Sequence, residues 1–99
     1  MSAPDIDARV RESFARQRLM ATIGARVAVV RAGHVELSLA VRDDLTQQNG
    51  FLHAGVLAAI ADSACGYAAL TMMPPGADVL FIEFKINMLA PAKGEEIVA

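Results

Sequence analysis

The sequence predicts an α+β fold in which antiparallel strands pack on one long central helix. Segments 34–42 and 78–90 place successive side chains on two opposite faces, which is typical of strands. Between them, residues 54–73 form an alanine-rich apolar stretch that ends at Pro74 and Pro75. A stretch that is apolar nearly all round predicts a helix buried on every side. This order of elements is typical of α+β domains.

The N-terminal segment predicts an amphipathic helix over about residues 4–19. Pro4 suits the first helical position, and Ile6, Val10 and Phe14 form one apolar stripe at four-residue spacing. We expect the polar face of this helix to be solvated surface.

Two strands follow the first helix. The β-branched residues of 23–31 predict a strand, and Ala32-Gly33 links it to the alternating strand 34–42 as a hairpin. Residues 43–53 are rich in Asp, Asn and Gly and predict a loop. Residues 95–99 read as the start of another strand, so we expect strands missing at the C-terminus, or a strand completed by another chain.

Size and charge limit what the chain can be. Its 99 residues predict a single domain over 1–99, with 9 basic residues against 11 acidic residues and 55% hydrophobic residues. This composition excludes intrinsic disorder, and the lack of basic excess argues against a general nucleic-acid binder. The excess of apolar residues favours a partner or a ligand groove.

Targeting and metal signals are weak. A single cysteine, Cys65, forms no internal disulfide, and no Cys/His cluster has zinc spacing, so we expect no metal. Residues 1–20 carry acids and arginines where a signal peptide would be apolar, which predicts a cytoplasmic protein. Asp62 in the middle of the long helix argues against a membrane span.

Asp62 is the most informative residue, because it is the only charged residue between Asp44 and Asp78. A carboxylate on a buried helix needs a partner or a function. Two interpretations remain open: a structural carboxylate, or a catalytic base or nucleophile whose pKa is raised by burial.

The start of the same helix is the second candidate element. Its first N–H groups have no partner within the helix, and Ala54 and Gly55 let a ligand approach them closely. Asp62 lies about 10 Å further along the helix axis from Gly55. If both features serve one reaction, they must come from different subunits, which predicts a two-fold dimer with two composite sites.

Three blocks of residues resemble a known family. Gln47-Gln48-Asn49-Gly50-Phe51-Leu52-His53-Ala54-Gly55, Asp62-Ser63-Ala64, and Glu83-Phe84-Lys85-Ile86-Asn87 with Pro91-Ala92 are similar to the phenylacetate-pathway-type (PaaI-like) acyl-CoA thioesterases of the hotdog superfamily. The resemblance covers roughly residues 20–99. It implies a hotdog fold, in which an antiparallel sheet wraps a long central helix, and assembly as a homodimer or a dimer of dimers.

The resemblance also implies roles for individual residues. Hydrolysis of acyl-CoA would need no metal or prosthetic group. The N–H of Ala54, together with that of Gly55, would polarise the thioester carbonyl. Asp62 of the partner would attack or activate water, and Gln47 would orient the carbonyl or the water. His53, Asn49 and Phe81 are assigned to substrate binding.

Three features depart from the family pattern. Ala54 replaces the middle glycine, Phe81 stands where relatives often carry Ser or Thr, and family domains continue with further strands after Pro91-Ala92. The alternative interpretation is a non-catalytic hotdog module that binds an acyl ligand or a partner protein, with Asp62 structural. Loss of activity in an Asp62→Asn variant distinguishes the two interpretations.

Overall fold

The N-terminal helical region contains a break that the sequence analysis did not predict. The computed structural model describes residues 2–99. Helix α1 (Ala3–Ala15) begins at Ser2, whose hydroxyl accepts the Asp5 N–H, and a second helix, α2, spans Arg18–Ile23. Gln17 between them is extended, so the single helix predicted over 4–19 is wrong. Gly24 ends α2 in the left-handed conformation, at a φ of 78°.

The antiparallel sheet within residues 2–99 consists, in spatial order, of β1 (Arg26–Arg31), β2 (His34–Ala40) and β3 (Glu96–Val98). Strand β1 (Arg26–Arg31) pairs with β2 (His34–Ala40) through a tight turn at Gly33, as the hairpin prediction requires. Strand β1 starts later than predicted, because Ile23 belongs to α2. Strand β3 (Glu96–Val98) pairs with the other edge of β2.

The long helix α3 (Ala54–Leu70) starts where the sequence predicts and ends three residues before the predicted end at residue 73. One face packs on β2 and is buried; it comprises Ile60, Ser63, Ala64, Tyr67 and Leu70. Cys65 and Ala69 on the opposite face are exposed. The prediction of a helix buried on every side is therefore wrong for the single chain, because the sheet covers only one face.

Arg9 ties the first helix to the end of α3. Its guanidinium donates hydrogen bonds of 2.8–3.2 Å to four backbone carbonyls, those of Leu70, Met73, Pro74 and Ala77. A cation at a helix C-terminus satisfies carbonyls that have no partner within the helix. The polar face of α1 is thus not simply solvated surface, as we expected.

Arg42 anchors the loop that leads to α3. It donates to both carboxylate oxygens of Asp44, with the shorter bond at 2.9 Å, and to the Thr22 carbonyl at the end of α2. The hydrogen bond from Arg42 holds the pKa of Asp44 below its usual value. Leu45 and His53 then close the loop through a bond of 2.9 Å from the His53 N–H to the Leu45 carbonyl.

Residues 78–90 are not a strand in the structure, so this prediction is wrong. No backbone hydrogen bond of the described chain involves residues 80–91, and the apolar side chains Leu80, Ile82 and Leu89 are 92–102% exposed. The alternation of side chains between two faces indicates a segment that can pair as a β-strand. A strand also requires a neighbouring strand with free N–H and C=O groups. None of the strands β1 to β3 pairs with this segment.

None of the helices described over residues 2–99 is long and apolar enough to cross a membrane. Among the same residues, no group of three or more His, Cys, Asp or Glu side chains could hold a metal ion.

Candidate active site

The N-terminus of α3 is capped by a side chain of its own chain. His53 precedes the first helical residue, and its Nδ1 accepts the Gly55 N–H at 2.8 Å. The N–H of Ala54, at the first helical position, has no acceptor among residues 2–99. Of the two N–H groups proposed to polarise a carbonyl, the structure therefore leaves that of Ala54 free and pairs that of Gly55.

Because the His53 side chain caps α3, we predict that removing it lowers the stability of the fold. We expect His53→Ala to lower the free energy of unfolding by about 1 kcal/mol, because the Gly55 N–H loses its acceptor. A domain of this size would melt roughly 4–8 °C lower for such a loss. Thermal denaturation followed by circular dichroism measures the change. His53→Asn is the matched control, since asparagine caps helices well. Equal losses in both variants would contradict the capping role.

Gln47 is held by the loop before α3. Its side-chain Oε1 accepts the N–H groups of Asn49 at 2.6 Å and of Phe51 at 3.2 Å. Because N–H donors require the oxygen at this position, the orientation of the amide is determined and Nε2 is the group left available. Gln47 can therefore donate hydrogen bonds to a ligand but offers it little as an acceptor.

These groups line one cavity of about 570 Å³. Gln47, Asn49, His53 and Ala54 all contribute to it, together with apolar residues of the loop and of the extended segment such as Phe51, Leu57 and Met88. Such a volume lies within the usual range for small-molecule sites. The structure thus brings together four of the five site residues that the sequence places in and just after the loop, and Gly55 does not line this cavity.

Asp62 lies in a different cavity, of about 330 Å³, which also includes Phe81. The carboxylate is half-buried and makes no hydrogen bond or salt bridge with any residue from 2 to 99. It is less buried than predicted, since α3 is covered on one face only. The helix separates it from Gly55 by about 10 Å along the axis.

Gly66 explains part of the shape of this second cavity. A Cβ atom added there would lie 3.2 Å from Cε2 of Phe81, so the aromatic ring occupies the space that a side chain would take. Phe81 therefore forms one wall beside Asp62, with Phe84 at a ring-centroid distance of 6.1 Å.

A cluster of polar side chains on the other wall was missed by sequence reasoning. Gln17 Nε2 donates to the Tyr67 hydroxyl at 2.8 Å, Ser63 Oγ donates to Gln17 Oε1 at 3.2 Å, and Ser13 Oγ lies 3.1 Å from the Tyr67 oxygen. The signal present in the sequence was the four-residue spacing of two polar residues, Ser63 and Tyr67, on an otherwise apolar face of α3.

The profile of the Thioesterase superfamily matches residues 49–99. These residues make up half of the chain and include α3 and Asp62. The chain belongs to the thioesterase superfamily. As the resemblance implied, it has a hotdog fold and is a thioester hydrolase.

Solved structures agree with this classification. The chain is similar to a thioesterase family protein from Silicibacter pomeroyi, with 52% identity, a TM-score of 0.91, and coverage of 94% of this chain and 68% of that one. The PaaI protein of Escherichia coli, from the phenylacetic acid degradation operon, shares the fold at 15% identity, with a TM-score of 0.86 over 97% of this chain and 68% of that chain. A thioesterase from Haemophilus influenzae shares it at 20% identity, with a TM-score of 0.77, covering 87% and 60% of the two chains. A comparison with curated proteins finds no match.

Proposed function

We propose that the protein hydrolyses acyl-CoA thioesters at a composite site between two subunits. The observation that carries this proposal is the separation of two complementary groups on one helix. Ala54 offers a free N–H in one cavity, and Asp62 offers a carboxylate without a partner among residues 2–99 in another. Because about 12 Å of helix lies between Ala54 and Asp62, one thioester cannot meet both within a single chain.

The Ala54 N–H would bind the oxygen of the thioester carbonyl. Negative charge develops on that oxygen when the carbonyl carbon is attacked, and an N–H aimed at it stabilises the charge. The N-terminus of a helix adds positive potential at the same place. His53 occupies the Gly55 N–H, so Ala54 supplies the backbone donor and Gln47 Nε2 the side-chain donor. Asn49 lines the same cavity and would contact the substrate.

Asp62 of the partner subunit would supply the attacking group. As a base, it takes a proton from water while the oxygen of that water bonds to the carbonyl carbon. The tetrahedral intermediate then collapses, the carbon–sulfur bond breaks, and CoA leaves as a thiolate that takes up a proton. As a nucleophile, the carboxylate instead attacks the carbonyl carbon, the carbon–sulfur bond breaks and CoA leaves as a thiolate; water then hydrolyses the resulting mixed anhydride to the free acid and the Asp62 carboxylate. The proposed chemistry requires no metal ion or prosthetic group.

The extended segment 78–90 supports pairing of two chains. Its backbone groups from residue 80 onward have no partners within the described chain, and several large apolar side chains are exposed. An unpaired strand with an apolar face is a template for another chain. We propose a homodimer, or a dimer of dimers, in the cytoplasm.

The direct test is release of free thiol from acyl-CoAs that differ in chain length and in aryl or alkyl character. We expect turnover of at least one acyl-CoA class, with simple acyl-thiol esters hydrolysed less efficiently. Hydrolysis of simple thioesters alone, with no acyl-CoA turned over by the folded protein, would contradict the proposed substrate. Sedimentation of the same sample tests the dimer.

We predict that Gln47→Glu lowers activity but leaves the structure of the loop intact. Glutamate keeps the acceptor oxygen for the Asn49 and Phe51 N–H groups but replaces the donor with a negative charge. We expect kcat to fall by about 10²-fold, as for loss of one oxyanion donor. Gln48→Glu is the matched control, because it adds the same charge one residue away. A similar loss of kcat in both variants would contradict the donor role of Gln47.

A further inference from the structure

Asp62 shares its cavity with a cluster of hydrogen-bonded polar side chains. The polar cluster comprises Ser13, Gln17, Ser63 and Tyr67, all of which line the same cavity of about 330 Å³. It joins the end of α1, the break before α2 and the middle of α3. The mechanism proposed above uses none of these four side chains, although they lie in one cavity with its attacking group.

The polar cluster has donors left over once its internal hydrogen bonds are counted. Gln17 Nε2 carries two N–H groups and gives one to the Tyr67 oxygen. Ser13 and Tyr67 share one hydrogen bond of 3.1 Å, so one of their two O–H groups is free within residues 2–99, whichever of them donates. The Ser63 hydroxyl is already used, because it donates to Gln17 Oε1. The cluster therefore offers the cavity one N–H and one O–H.

Asp62 provides the complementary acceptor. Its carboxylate accepts no hydrogen bond from any residue between 2 and 99. The apolar part of the lining, which offers no hydrogen bond, consists of Leu70, Val79 and Phe81. Arg16 and Asp78 also line the cavity, but both are exposed. A molecule that accepts from the polar cluster and donates to the carboxylate fits between them, and water does both at once.

The backbone break directs the Gln17 side chain to this place. Gln17 stands at the N-cap of α2, where a polar side chain usually bonds the helix, yet it makes no cap hydrogen bond. Its amide instead reaches Ser63 and Tyr67 on α3. Packing of the Tyr67 ring against Phe14, with centroids 6.1 Å apart, fixes the hydroxyl to which Gln17 is bonded. Tyr67 and Ser13 are therefore positioning residues for the Gln17 amide.

We infer that Gln17 holds the water that attacks the thioester. The water accepts the free N–H of Gln17 with one lone pair, donates one O–H to Asp62 and keeps its second lone pair for the carbonyl carbon. As its oxygen bonds to that carbon, one proton passes to Asp62. The carbon–sulfur bond then breaks, and CoA leaves as a thiolate that takes up the proton from Asp62. The inference rests on the proposed function and assigns Asp62 the role of base.

Gln17→Met tests this contact, because methionine keeps the length of the side chain and removes both of its hydrogen-bonding groups. We expect kcat for acyl-CoA hydrolysis to fall by about tenfold or more, whereas the Kd of a non-hydrolysable thioether analogue stays within about threefold. Arg18→Met, an exposed change next to Gln17, should keep both values. An unchanged kcat in Gln17→Met overturns the inference.

A double variant separates water binding from a structural tie between α1 and α3. If Gln17 acts through the water that Asp62 deprotonates, Gln17→Met lowers kcat by only about threefold or less in the Asp62→Asn background. If the polar cluster only supports the fold, the same factor is lost in both backgrounds, and the inference is overturned. Transfer of oxygen from water to the Asp62 carboxylate during one turnover overturns it as well.

A crystal structure that shows ordered water tests the site independently of activity. We expect a water within hydrogen-bond distance of both Gln17 Nε2 and the Asp62 carboxylate, and its loss in Gln17→Met. If no acyl-CoA is turned over, the proposed function fails, and this structure still decides whether the water site exists. A cavity without a water bridging these two groups overturns the inference.

Discussion

Replacing Asp62 with asparagine is expected to reduce kcat by about 10²–10⁴-fold, the usual range for loss of a catalytic acid–base group. Asparagine has nearly the same shape but cannot take a proton or attack a carbonyl. Because Asp62 has no hydrogen-bond or salt-bridge partner within residues 2–99, the fold should lose little stability. Thiol release and thermal denaturation, measured on the same sample, separate the two effects.

Asp78→Asn is the matched control, since Asp78 is a second carboxylate lining the same cavity. Among residues 2–99 its side chain accepts only the neighbouring Val79 N–H, so we expect kcat to stay within a few-fold of that of the unchanged protein. Equal losses in both variants would show that cavity charge, rather than the carboxylate of Asp62, limits the reaction. Unchanged turnover in Asp62→Asn would remove this residue from the mechanism.

One turnover in water enriched in oxygen-18 distinguishes the two roles of Asp62. If the carboxylate attacks, hydrolysis of the anhydride can leave heavy oxygen in the protein, on the peptide that contains Asp62. If the carboxylate acts as a base, the label appears in the released acid alone. Mass spectrometry of the digested protein gives the result directly.

The sequence predicted correctly those elements whose conformation depends on residues close together in the chain. The start of α3 at Ala54 follows from the loop composition before it and the apolar run after it. Strand β2 follows from its alternation, and the hairpin follows from a glycine that adopts a φ of 74°. In each case, the residues that decide the conformation are neighbours along the chain.

Predictions failed where the deciding contact comes from elsewhere. The break at Gln17 allows its side chain to reach Ser63 and Tyr67, and Arg9 binds carbonyls more than 60 residues away. The segment 78–90 carries a strand pattern, but no strand of the described chain pairs with it. A sequence window contains no information about partners at such distances.

In the candidate site, too, the sequence predicted which residues are involved but not the contacts that they make. Residue type and spacing identified the helix start and Asp62 as candidates, and the family resemblance added Gln47, but neither shows which atoms are free. The structure pairs the Gly55 N–H with His53 and the Gln47 oxygen with the loop, leaving the Ala54 N–H and Gln47 Nε2 available. Which atoms are free depends on side-chain geometry. The candidate residues therefore stay the same, but the hydrogen bonds that each can offer a substrate differ from those expected from the sequence.

Ala54→Pro should remove the oxyanion donor while keeping the helix. Ala54 is the first helical residue, where proline is well tolerated, and His53 already has the extended conformation that a following proline requires. The substitution deletes one N–H group, and we expect kcat to fall by about 10²–10³-fold. Ala54→Gly is the control, because it keeps the N–H. Nearly normal kcat in the proline variant would show that another donor holds the oxyanion.

Two inactive variants together test the composite site. If the Ala54 N–H and Asp62 that serve one thioester come from different subunits, a dimer of one Ala54→Pro chain and one Asp62→Asn chain has one site with both defects and one with neither. Random pairing after co-refolding equal amounts makes half of the dimers mixed, so about a quarter of the normal activity should return. If both groups acted from one chain, every site would retain a defect and mixing would restore nothing. The recovered fraction therefore measures which chain supplies each group, since neither variant is active alone.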